Sequence, residues 1–124
     1  MYTKQQTFDM VVEGLRKQGC KSMTEEGEVC MYRGAGGTKC AAGMLISDED
    51  YKPEFEFKIL EKVESTNSAA NELRACIGKN HDIELVRDLQ LIHDVYNIEE
   101  WEHQWKNTAL GHNLVYTEPA NCTT

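Results

Sequence analysis

Nowhere does this chain approach the roughly eighteen consecutive apolar residues that a membrane-spanning helix needs, so no such span is expected. The opening residues, MYTKQQTFDM, place polar side chains where a secretory signal carries an apolar segment, and an unexported chain is therefore expected. An even cysteine count is also missing. The five thiols, Cys20, Cys30, Cys40, Cys76 and Cys122, cannot all pair within one chain. In a reducing cytosol they read as free thiols or metal ligands and not as a disulfide framework. The sequence has no internal repeat, low-complexity tract or interdomain linker, which excludes solenoids and flexible tethers.

What is present describes one folded unit. The 124 residues suffice for a single hydrophobic core, and the balance of 40% hydrophobic to 27% charged residues is that of a globular chain. The expected domain runs over residues 1–116, with residues 117–124 as a frayed tail lacking helical periodicity. The net charge of −8 is uneven: through Cys40 there are six Lys/Arg and five Asp/Glu, and from Ala41 onward seven and sixteen. An acidic surface repels phosphate, so direct DNA or RNA binding is not expected. The charges read either as solvated helix faces or as a surface for a basic partner.

The pattern predicts an α+β fold: an N-terminal helix, a small antiparallel hairpin and three to four further helices. Thr3 and Gln6 form a capping box ahead of Phe8, Val11, Val12 and Leu15, and Gly19 ends that helix. The segment GEVCMYRGAGGTKCAAGMLI, Gly27 to Ile46, reads as a hairpin with Val29, Met31 and Cys40 on its arms, turning at Gly34–Gly37. Gly43 lets another backbone approach closely. A helical piece is expected over residues 56–64 and a helix capped by Asn67 or Ser68, ending near Gly78. Ile83, Val86, Leu89 and Ile92, with Leu85, form the stripe of a buried helix over residues 82–96. Asn97 and Glu100 cap a last helix bearing Trp101 and Trp105.

The string CMYRGAGGTKCAAGMLISDEDY, Cys30 to Tyr51, and the later LQLIHDVYN, Leu89 to Asn97, resemble a group of small uncharacterised proteins encoded by tailed bacteriophages and some bacteria. There a CxYRG segment, a KCAxGxLIxDxxY segment and an LQxxHD helix recur in this order, with no activity attached to them. The resemblance implies a phage or prophage accessory protein acting in the cytoplasm of a bacterial host.

Several residues are candidates for chemistry. Cys30, Cys40 and His93, with His81 as a second imidazole, are weak candidates for a structural zinc site, although nine residues between the thiols do not preset a ligand pair as CxxC does. Cys40 at the start of AAGMLI is a weak candidate nucleophile with His93 as base, and Asp94 is poorly placed to orient His93 because neighbours on a helix point apart. Arg33 and Lys39 flank Gly36 and Gly37, a candidate anion or nucleotide cradle that lacks Walker A spacing. Tyr32, Arg33, Asp48, Asp50, His93 and Asp94 form an expected polar network that can equally fix the fold. Trp101 and Trp105 are core residues or, on an exposed helix, anchors for a partner. No cofactor is expected, zinc being the alternative. The leading expectation is a non-enzymatic accessory protein that binds a bacterial host protein; the rival is a small ligand-binding protein or Cys-His enzyme.

Overall fold

The computed structural model describes residues 1–27, 29–61 and 63–119. Four helices carry the fold: α1 (Lys4–Gln18), α2 (Ser68–Gly78), α3 (Ile83–Val95) and α4 (Ile98–Gly111). The described residues contain no β-strand, only the isolated antiparallel bridges Met23 with Cys30 and Arg33 with Lys39. The architecture is therefore all-α, and the expected α+β fold with a β-hairpin is corrected.

The reason lies in how the loop satisfies its backbone. The Gln18 side-chain amide takes both the N–H and the carbonyl of Lys39, each at 2.8 Å. Glu56, buried, accepts the N–H groups of Tyr32 and Arg33 at 2.9 and 3.1 Å. Groups that a ladder would pair are thus taken by side chains from elsewhere in the chain. Beyond Lys39 the chain coils instead of extending: the Met44 N–H bonds the Cys40 carbonyl, and Gly43–Leu45 makes a 3₁₀ turn. Gly43 fulfils its expected role, since a Cβ there would lie 2.1 Å from the Tyr32 carbonyl oxygen.

Helix termini follow the sequence closely. Thr3 and Gln6 exchange capping bonds at 3.1 and 2.9 Å, and Gly19 closes α1 at φ 72° with its N–H on the Leu15 carbonyl. Asn67 and Asp82 accept from the amides of Ala70 and Leu85, and Glu100 reaches back to the Asn97 N–H. Among the described residues of 56–64 the expected helical piece does not form; the Glu56 carboxylate is drawn to the loop, and Phe57 adopts φ 65°, outside right-handed helical space.

Helix α3 is shared between two cores. Leu85, Leu89 and Ile92 pack with Phe8, Trp101 and Trp105 between α1, α3 and α4. Val86 turns to the other cluster, where Leu73 and Ile77 of α2 meet Tyr32, Cys40 and Phe55 from the connecting segments. At the C-terminal side, the Thr117 carbonyl accepts from Arg16 at 2.7 Å, tying the expected tail to α1 at that point; residues 120–124, including Cys122, lie outside the described residues. No helix among the described residues is long and apolar enough to cross a membrane.

His81 joins the N-terminus to the turn before α3. Its Nδ1 lies 2.7 Å from the buried Thr7 hydroxyl, and its ring stacks on Tyr2 at 5.0 Å. Burial, reinforced by the N-terminal ammonium, lowers its pKa below the ordinary value. The unfolded chain then binds a proton more readily than the folded one, so this contribution is present above about pH 6.5 and declines as pH falls below it. His81→Gln is expected to flatten the acid limb of a stability profile measured by urea titration between pH 7 and 5. An unchanged slope would contradict this assignment.

Candidate functional site

The two motif segments meet in space. His93 and Asp94 lie in the last turn of α3, and Cys30 faces them from the loop, so that one ligand atom from each falls within 4.8 Å of the others. Asp94, which ideal side-chain directions on a helix would set apart from His93, accepts from it: His93 Nδ1 to Asp94 Oδ1 is 2.8 Å. Gln90, one turn earlier, donates to both Asp94 oxygens at 3.0 and 3.1 Å and aims the carboxylate. Its carbonyl oxygen accepts from the Ala42 N–H at 2.8 Å.

Hydrogen bonding fixes the tautomer of His93. The backbone N–H of Ser22 donates to Nε2 at 3.0 Å, so Nε2 is an acceptor and the ring proton sits on Nδ1, pointed at Asp94. The ring is fully buried and stacks on Trp101 at 5.6 Å. Both nitrogens are thereby occupied. A metal at Nδ1 would move the proton to Nε2 and set it against the Ser22 N–H, two donors face to face. The donor set Cys30, His93 and Asp94 thus has suitable elements but an unsuitable proton arrangement for zinc, and Cys40 does not join the cluster.

The thiols lean the same way. Cys40 is fully buried; burial pushes its pKa up to about 12, although its sulfur accepts the Gly43 N–H at 3.3 Å. Burial and the Asp94 carboxylate also raise the pKa of Cys30. Neither environment favours the thiolate that a nucleophile requires. In the glycine cradle it is Arg33 that is committed. Arg33 pairs with Asp48 at 2.9 Å, donates to the Ile46 carbonyl and lies 4.3 Å from the Tyr51 ring centroid. Gly36 and Gly37 turn at φ 72° and 77° as an exposed tip, with Lys39 held through its backbone by Gln18. Of the expected polar network, Asp50 pairs instead with Lys79 at 2.8 Å. Trp101 and Trp105 are 3% and 1% exposed, which corrects their reading as an exposed anchoring face.

A different surface stands open. Ile59, Leu91 and Val95, exposed to 71%, 57% and 62%, line one groove of about 410 Å³ between α3 and residues 58–60, the groove being lined also by Lys58, Arg87, Asp88 and Asp94. Arg87 holds that segment to the helix through the Leu60 carbonyl at 2.8 Å. Sequence reading passed over these residues, yet a signal existed: Leu91 and Val95 fall off the buried stripe of α3 and so have no core to enter. No protein family, curated protein or solved structure matches the chain.

Proposed function

We propose that this protein works by binding another protein and not by catalysis, through the outer face of α3 and the adjoining Ile59. One observation carries the reading: exposed apolar side chains converge on this groove, while the imidazole, thiols and guanidinium of the motif are hydrogen-bonded or buried. Isolated exposed apolar residues are ordinary on any surface; that three of them share a single groove is what supports an interaction site here. The resemblance to phage-encoded proteins supplies the setting, so the partner is a bacterial host protein met in the cytoplasm. The acidic second part of the chain favours a protein over a nucleic acid as that partner.

Affinity capture from a bacterial lysate with the intact chain and with Leu91→Asp tests this. A stoichiometric partner retained by the former and lost by the latter is the expected result. An aspartate at an exposed position leaves the unfolding free energy within about 0.5 kcal/mol of wild type, which separates lost binding from lost folding. Equal capture by both proteins would sink the proposal.

A further inference from the structure

We infer that the cleft between α1 and α4 is a seat for an extended Leu-x-Tyr segment of a partner protein, and that residues 114–119 occupy it as the chain's own stand-in. This cleft shares no lining residue with the α3 groove, so the inference stands apart from the binding role proposed there. Residues 114–119 follow α4 without forming a helix, and their side chains alternate. Leu114 and Tyr116 pack against the core of α1, α3 and α4, while Val115, 69% exposed, and Thr117 are open to solvent. Alternation of this kind is the signature of an extended segment with one face on its support.

The helices hold this segment as a receptor holds a peptide, through its backbone at alternate residues and through the side chain between them. The Gln5 amide takes both the N–H and the carbonyl of Val115, at 2.8 and 3.0 Å, and Arg16 donates to the Thr117 carbonyl at 2.7 Å. The same guanidinium forks onto Glu102 at 2.7 and 2.8 Å and lies 5.6 Å from the Tyr116 ring centroid. The Tyr116 hydroxyl donates to Glu102 at 2.5 Å. Backbone bonds accept any extended sequence, so selectivity falls to the tyrosine and to the leucine two residues before it. The cleft is also larger than the segment lying in it. A cavity of about 790 Å³ remains beside Thr117, lined by Phe8, Val12, Ile98 and Trp105 together with the charged Asp9, Glu13 and Lys17. A partner chain running on past its tyrosine has room there and gains contacts that the built-in segment does not make. A second copy exchanging the same segment would gain none, while forgoing the high effective concentration of the attached one.

The test titrates a fluorescent peptide of sequence Leu-Val-Tyr-Thr-Glu-Pro, and the same peptide with alanine for tyrosine, into the full chain and into its Tyr116→Ala variant. Because the built-in segment competes for the seat, the tyrosine peptide is expected to bind Tyr116→Ala at least about tenfold more tightly than wild type. The alanine peptide should bind neither, and Gln5→Ala added to Tyr116→Ala should weaken the tyrosine peptide by about tenfold. Truncating a residue that only props up the fold would not create affinity for an outside ligand. In isotope-labelled protein the resonances that move should be those of Gln5, Arg16 and Glu102. Tyr116→Phe, which loses only the hydroxyl bond to Glu102, should give a smaller gain of the same sign, and it replaces the alanine variant if urea titration shows that one unfolded. Equal binding of the tyrosine peptide to wild type and variants, equal binding of the two peptides, or no binding to either variant would overturn the inference. So would a wild-type dimer in sedimentation that Tyr116→Ala dissolves, since the seat would then belong to a second copy.

Discussion

Replacing Gly43 with alanine is expected to destabilise the protein by roughly 3 kcal/mol, the upper end of what overpacking costs, and to lower its melting temperature by on the order of 10 °C. The added Cβ would sit 2.1 Å from the Tyr32 carbonyl oxygen and 3.0 Å from its carbon. Both obstacles are backbone, so no rotamer change relieves them. Tyr32 cannot easily withdraw, because its own N–H is bonded to Glu56 and its hydroxyl to the Lys58 carbonyl. Gly111→Ala provides the control. It lies in the last turn of α4, where an added Cβ would meet nothing within 4 Å, and is expected to be neutral or to stabilise by up to about 1 kcal/mol. Comparable losses for the two variants in urea unfolding would show that the close approach at Gly43 does not matter.

The second large effect is expected at His93. Truncation to alanine leaves the Ser22 N–H without its acceptor, opens a cavity beside Trp101 and releases Asp94 from one of its donors. The buried unpaired amide alone costs about 1–3 kcal/mol, and the cavity raises the total to about 3–5 kcal/mol. His93→Gln separates the contributions, since its amide oxygen can approach the place of Nε2 and accept from Ser22 but cannot restore the link to Asp94. An intermediate loss is expected for it. In a double-mutant cycle, His93→Ala and Asp94→Ala should be coupled by about 1 kcal/mol or more, because the two side chains share one hydrogen bond. Simple additivity would argue that the pair is not a working unit of the fold.

These two positions also show what a sequence can reveal and where it stops. The capping box at Thr3 and Gln6 and the glycine stop at Gly19 depend on residues a few positions apart, and their local chemistry survived intact in the fold. The buried stripe of α3 was legible for the same reason, as was the need for glycine at position 43. The hairpin was not. Glycine at the turn and short apolar arms suggest strands, but the loop backbone is claimed by Gln18, Glu56 and Gln90, side chains from three distant segments that no local pattern connects. The helix expected over residues 56–64 failed through the same contact, because Glu56 is recruited to the loop.

The candidate site was half legible. The sequence brought forward Cys30, Cys40 and His93 as one candidate set; the structure places Cys30 and His93 together with Asp94 and leaves Cys40 out. It could not reveal that a backbone amide, that of Ser22, fixes the imidazole tautomer, since a backbone group carries no sequence signature. Side-chain direction on an ideal helix argued against contact between His93 and Asp94. Gln90 overrides that tendency by holding the carboxylate from the preceding turn. The LQLIHD segment thereby acts as a clamp, with Gln90 on Ala42 and His93 on Ser22, fastening the loop segments to α3.

That clamp is a scaffold, and the reactivity of the cysteines tests it most directly. In native protein at neutral pH, an iodoacetamide time course read by mass spectrometry should show exposed Cys20 labelling promptly and half-buried Cys30 more slowly. Cys40, fully buried with its thiol pKa pushed up to about 12, should label only as fast as the whole protein unfolds. Rapid labelling of Cys40 in the folded protein, on the timescale of Cys20 and abolished by removal of His93, would contradict the scaffold account and restore a cysteine–histidine site.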